Sequence, residues 1–134
     1  MKRLFLLRHA KAAPAEPGEE DRHRPLLPRG CADAARLAHY LAARGHVPQR
    51  VLVSSAARAL QTAQLALADR MPPPAMEVLD ALYLAPPGRL FEIVRAQTRA
   101  ASLMLVGHNP GMEDLASLLS RQSPHRETWE EKFP

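Results

Sequence analysis

The sequence predicts an α/β fold, three layers with a mostly parallel central sheet between helices, and two observations carry that prediction. Short apolar runs without helical period (Arg3–Arg8, Arg50–Val53, Ser102–Val106) recur along the chain, and each is followed by a stretch whose apolar residues fall at helical spacing. Strands and helices alternating in this way form βαβ units, and right-handed crossovers then give a parallel sheet covered on both faces. The length, 134 residues, suits one domain over residues 1–134, and 46% hydrophobic against 24% charged residues is ordinary globular usage, which excludes a disordered or fibrous chain.

The elements follow in order. Arg3–Arg8 reads as a strand buried on both faces. A loop rich in Pro, Gly and acidic residues runs from Ala13 to Pro28, and Ala34, Leu37, Ala38 and Leu41 then mark one face of a helix over Ala32–Arg44, closed by Gly45. Arg50–Val53 is the second strand, with Ser54 or Ser55 as the cap of a helix from Ala56 to about Asp69 that the run Met71-Pro72-Pro73-Pro74 stops. A third strand over Met76–Leu79, a helix from Gly88 to about Thr98, a fourth strand over Ser102–Val106 and a helix over Gly111–Ser120 complete the pattern, with Arg121–Pro134 polar and unplaced.

Composition excludes several functions. The net charge of +4 is carried by 15 arginines and three lysines, Lys2, Lys11 and Lys132. Arginine suits planar, bidentate anion recognition. These arginines are spread along the chain and aromatics make up only 4%, so the pattern does not fit a nucleic-acid surface, and biased composition accounts for most of them. Cys31 is the one cysteine, which precludes an intramolecular disulfide and fits a reducing compartment. The apolar run Leu4–Leu7 is too short for a signal-peptide core and no stretch approaches the ~20 apolar residues of a membrane span, so a cytoplasmic protein without membrane partners is expected.

In open α/β sheets, ligands bind beyond the carboxyl ends of the strands. There the sequence places Arg8-His9 after the first strand, Ser54-Ser55 and then Arg58 after the second, and His108-Asn109 after the fourth. Two histidines and two arginines on one edge suit phosphoryl transfer: neutral imidazole is a nucleophile toward phosphorus, guanidinium groups grip nonbridging oxygens, and a helix amino terminus adds amide donors. A metal centre would want carboxylates at ligand spacing beside the histidines, which the sequence lacks. Taken singly, His9 also suits a hydrogen-bonded histidine at a strand end, Arg58 a surface helix residue and His108 a turn residue; their joint placement is what points to chemistry. His23, His39, His46 and His125 lack that placement and are expected to be exposed.

The segments Leu7-Arg8-His9-Ala10-Lys11, Arg24-Pro25-Leu26 with Arg29-Gly30, Val53-Ser54-Ser55-Ala56-Ala57-Arg58-Ala59-Leu60-Gln61-Thr62-Ala63 and Val106-Gly107-His108-Asn109-Pro110 together resemble the histidine phosphatase superfamily of phosphoglycerate mutase-like fold, and within it the small SixA-type phosphohistidine phosphatases. The resemblance covers Met1 to about Ser120. It implies that His9 is a nucleophile transiently phosphorylated, that Arg8, Arg58 and His108 form the phosphate pocket, and that no metal or organic cofactor is needed. Ser55 and Asn109 are close enough in sequence to line that pocket. The implied partner is a phosphohistidine-bearing protein such as a histidine-phosphotransfer domain, in signal transduction, or else a small phosphorylated substrate.

Three departures sharpen the expectation. The family's Arg-His-Gly is Arg-His-Ala here, which the SixA-like branch accommodates. Larger members supply a carboxylic general acid for an alkoxide leaving group, and Asp80-Ala81-Leu82-Tyr83 offers no glutamate for it. That favours a leaving group that departs readily, as imidazole does from phosphohistidine, over an unactivated ester. A phosphatase for a small activated metabolite and a phosphohistidine-binding protein without turnover are the alternatives. Relatives also continue beyond Phe133-Pro134 into a final strand, so either the sequence is clipped and its sheet lacks that strand, or this version closes its sheet differently.

Overall fold

In a computed structural model of the chain, the structure describes residues 3–46, 48–68, 70, 72 and 74–122. Four strands and four helices alternate: β1 (Arg3–Arg8), α1 (Pro28–Ala43), β2 (Arg50–Ser54), α2 (Ala57–Ala66), β3 (Ala75–Leu79), α3 (Pro87–Arg95), β4 (Ser102–Gly107) and α4 (Gly111–Gln122). Short 3-10 turns at Asp21–His23 and Asp80–Leu82 lie in two of the connections. The strands form one parallel sheet in the order β1-β4-β2-β3.

The pleat sorts the strand side chains onto two faces. Leu7, Val51, Val53, Met104 and Val106 pack with Leu37 and Leu41 of α1 and Ala59 and Ala63 of α2, whereas Leu52, Leu103 and Leu105 pack with Leu90 and Val94 of α3 and Met112 and Leu115 of α4. The result is the three-layer α/β/α arrangement with a parallel centre that the alternation predicts. The register pairs Arg8 with Gly107, Val53 with Val106 and Ser54 with Leu79, so the carboxyl ends of all four strands finish level along one edge.

Several boundaries differ from the sequence reading. β1 is not buried on both faces: Leu7 is buried but Leu4, Phe5 and Leu6 are half-exposed, because among the described residues β1 lies at an edge with β4 on one side. α1 starts at Pro28, four residues before the expected Ala32, because proline in the first turn has a preset φ and loses no helical hydrogen bond. Gly45, at φ +66°, ends α1 as expected. Neither Ser54 nor Ser55 caps α2, whose flanking residue is Ala56, and α2 closes at Ala66, before the proline cluster. α3 likewise stops at Arg95, where its last apolar contact, Val94, has just been made. Of the histidines expected to be exposed, His23 and His39 are, but His46 is half-buried, accepting from Arg3 Nη2 at 2.7 Å and packing on Phe5; His125 lies outside the described residues. The expectation of a missing final strand concerns the chain past Gln122 and also lies outside them. Among the described residues, no helix is long and apolar enough to cross a membrane.

Two glycines set close approaches that position the site. A Cβ on Gly30, in the first turn of α1, would stand 2.2 Å from the carbonyl oxygen of Lys11, and one on Gly111, at the start of α4, 2.0 Å from that of Ala85. Both helices therefore begin against the loops that follow β1 and β3.

Candidate active site

The chain crosses the level edge of the sheet at His9. Its amide donates to the carbonyl of Gly107 at 3.1 Å, extending the β1–β4 pairing by one residue and setting His9 beside His108. The two rings lie 5.3 Å apart between centroids, at 61°. His9 Nδ1 is 2.8 Å from the carbonyl oxygen of Ala10, an acceptor that requires the proton on Nδ1 and leaves the Nε2 lone pair free to accept. Arg58 Nε donates to that Nε2 at 3.3 Å. The next residue is tied down as well: the amide of Ala10 donates to Thr62 Oγ1 at 3.0 Å, and the Thr62 hydroxyl donates to the carbonyl of Arg58 at 2.7 Å. One buried threonine thus locks the end of β1 to the turn of α2 that carries Arg58.

The side chain of Arg58 is only 4% exposed, so its charge needs a partner. The loop between β1 and α1 provides one. That loop is closed by a bridge between Ala12 and Leu26, and it docks on α2 through the Leu26 amide, which donates to Gln61 Oε1 at 2.8 Å. At its tip Asp21 accepts from Arg58 twice, at its carbonyl oxygen from Nη1 (2.8 Å) and at Oδ2 from Nη2 (2.9 Å). Arg24 Nη1 donates to Asp21 Oδ1 at 2.8 Å, and the Tyr83 hydroxyl donates to Oδ2. The Tyr83 ring meets His108 edge-on, 5.4 Å between centroids at 89°, and the Arg22 guanidinium covers it from 4.6 Å.

His108 is buried at the end of β4, its Nε2 2.7 Å from Ser54 Oγ. Ser54 Oγ also accepts from the amide of Ala56 at 3.3 Å. With the Ser54 hydroxyl donating its proton to Nε2, the ring proton of His108 sits on Nδ1. That nitrogen is buried and has no hydrogen-bond partner among the described residues.

The electrostatics follow from burial among arginines. The pKa of His9 is lowered to about 4, first by burial and then by the charges of Arg58, Arg8 and Arg24, against the raising effect of the Ala10 carbonyl. His108 is also lowered to about 4, by burial and then by Arg58 and His9, with Asp21 opposing. Both imidazoles are neutral at neutral pH. Asp21 is held well below the usual carboxylate range, by the Tyr83 hydroxyl first and then by Arg24 and Arg58, and burial together with Asp21 pushes the Tyr83 hydroxyl up.

The structure brings His9, Arg58 and His108 together and sets Arg8, the last residue of β1, close enough for its charge to act on His9. The hydroxyl that reaches His108 belongs to Ser54, one residue before the Ser55 that the sequence singles out; Ser55 Oγ is buried with no partner among the described residues. Asn109 Oδ1 accepts the amide of Glu113 at 3.0 Å, which commits it to the first turn of α4. The sequence places Ser54 at the strand end but singles out its neighbour Ser55, and it does not reach Asp21, Thr62 or Tyr83 as site residues.

The family profile of the histidine phosphatase superfamily (branch 1) matches residues 4–134. The chain belongs to the histidine phosphatase superfamily. Within that superfamily its likeness is to the SixA type. An uncharacterized protein of Mycobacterium tuberculosis is 36% identical over 133 residues, covering 96% of this chain and 81% of the relative. The crystal structure of a candidate phosphohistidine phosphatase, SixA, from Agrobacterium tumefaciens superposes with a TM-score of 0.83 at 38% identity, over 92% of this chain and 84% of that one. The protein histidine phosphatase SixA solved in complex with tungstate superposes with a TM-score of 0.76 at 30% identity, over 85% and 74% of the two chains. The fold of this member of the histidine phosphatase superfamily is accordingly the phosphoglycerate mutase-like one.

Proposed function

We propose that this histidine phosphatase hydrolyses phosphohistidine carried on a protein, through a covalent phosphohistidine intermediate on its own His9. The observation that carries the proposal is the state of His9: a neutral ring with its proton on Nδ1, spent on Ala10, and its Nε2 lone pair set against a buried guanidinium. Nε2 attacks the phosphorus of the substrate as the P–N bond to the substrate imidazole breaks, and the departing imidazole takes a proton from solvent. Arg58, Arg8 and the Nδ1–H of His108 hold the nonbridging oxygens, whose charge they stabilise in the transition state. Water then attacks the phosphorus of phospho-His9, releasing inorganic phosphate and restoring the neutral ring.

Two further points support this reading. Asp21, the carboxylate that reaches the site, is held ionised and cannot protonate a leaving group, which suits an imidazole better than an alkoxide. A SixA-type relative, named as a protein histidine phosphatase, was solved with tungstate, a phosphate-like oxyanion. Incubation with a phosphorylated histidine-phosphotransfer protein is expected to produce a burst of phosphate transfer onto His9, acid-labile and alkali-stable, followed by steady release of inorganic phosphate. Turnover retained in His9→Ala would refute the mechanism, and preference for small phosphoesters over the phosphoprotein in direct competition would refute the substrate class.

A further inference from the structure

Asp21 is the most highly connected acidic side chain at the site, and the phosphoryl-transfer steps leave it without a task. It sits on the 3-10 turn Asp21–His23, its carboxylate reached by Arg58 Nη2, by Arg24 and by the Tyr83 hydroxyl, while Arg58 Nη1 donates to its main-chain carbonyl. Arg24 is in turn anchored, its Nε donating to the carbonyl of Ala13 at 2.7 Å. Three roles are open to a carboxylate here: general acid, internal anion that a substrate phosphate must displace, or fixed support.

The geometry decides among them. A guanidinium has five N–H donors in one plane. Asp21 takes one from each terminal nitrogen of Arg58 and His9 Nε2 takes the one on Nε, so the plane is pinned at three points. Each terminal nitrogen carries a second N–H besides the one that Asp21 takes. A phosphate oxygen beside His9 therefore finds a donor without displacing Asp21. Through Tyr83 the same carboxylate reaches the second histidine, since the hydroxyl bound to Asp21 fixes a ring whose edge meets His108. We propose that Asp21 is the positioning residue of the phosphate site, holding Arg58 flat against His9 and, through Tyr83, bracing His108. The inference deepens the phosphatase reading and rests on it. The strong lowering of the Asp21 carboxyl agrees, because a group that stays ionised serves as a fixed support and not as an acid.

The test measures tungstate affinity by calorimetry and, separately, kcat and KM on phosphoramidate, for the wild type, Asp21→Ala, Asp21→Asn and Tyr83→Phe. Loss of a charge-assisted bond that orients Arg58 is expected to weaken tungstate binding about tenfold in Asp21→Ala, with Asp21→Asn between it and the wild type because an acceptor oxygen remains. Tyr83→Phe is expected to lower kcat a few-fold with little change in KM. The sign discriminates: removing a negative charge flanked by Arg24 and Arg58 without any orienting role would tighten anion binding, so equal or tighter tungstate affinity in Asp21→Ala overturns the proposal, as does a fall in melting temperature alone. Should Asp21→Ala not fold, the isosteric Asp21→Asn carries the same reading. The phosphatase reading fails on a different result, wild-type protein that binds tungstate and hydrolyses neither phosphoramidate nor phosphoprotein, while a wild type that binds no tungstate overturns both.

Discussion

Arg58 shows how much of the site depends on shape as well as charge. It spends three planar donors in three directions, toward His9 and twice toward Asp21, from a position that is almost fully buried. Lysine supplies the same charge as a point, with no fork. Arg58→Lys is therefore expected to lower kcat/KM by about 100-fold or more, near the loss of a preorganised transition-state donor, and steady-state kinetics on phosphoramidate checks it. A variant within threefold of wild type would show that charge alone suffices. His9, Arg58 and His108 are legible in the sequence because each stands at a strand end or in the first helical turn after one. Asp21 and Tyr83 are not, because the bonds that give them meaning span 37 and 62 residues, from the loop after β1 to helix α2 and to the loop after β3, with no periodicity to read.

At the level of elements, the strands and the starts of α2, α3 and α4 are legible to within a residue, whereas α1 starts four residues before the expected Ala32, and the reason is chemical. The sequence reading looks for side-chain caps, but α1 and α3 begin at prolines and α2 begins after an alanine, none with a capping side chain. What places α1 is the contact of Gly30 with the carbonyl of Lys11, two residues past His9. Gly30→Ala gains helix propensity of about 1 kcal/mol but drives a methyl into a backbone oxygen, a clash that costs about 1–3 kcal/mol and moves the loop. The expected outcome is a lower melting temperature together with reduced kcat, since the displaced loop carries both His9 and the Asp21 turn. A thermal scan and an activity assay on one preparation decide it, and an unchanged kcat in a destabilised variant would uncouple α1 from the site.

For the molecule as a whole, the layering and the parallel sheet follow from the alternation of apolar runs with helical spacing, and the two core clusters fill the faces that alternation assigns. The site sets its pH behaviour. His9 and His108 fall from 6.5 to about 4 on folding, so between those values the unfolded chain binds more protons than the native one. Stability is therefore expected to be level above pH 6.5 and to decline as the pH falls from 6.5 toward 4, by a linkage that chemical denaturation at a series of pH values would trace. Asp21, lowered on folding, adds a further loss at more acid pH. Activity keeps its neutral nucleophile longer, so kcat/KM on phosphoramidate is expected to hold through this window and to fall only near pH 4. An acid limb close to pH 6.5 would mean that His9 is unperturbed.

The sheet order carries one more consequence, in time. β4 lies between β1 and β2, so the first two strands described do not touch each other in the sheet and wait for β4. His9 and Arg58 both leave the ribosome early, but the strand that fills the gap between their own strands, and brings His108 with it, emerges only after residue 100. Such non-local closure is slow compared with helix formation. A nascent chain that has not yet made β4 therefore carries His9 and Arg58 without His108 beside them, and the proposed site is complete only once β4 has inserted.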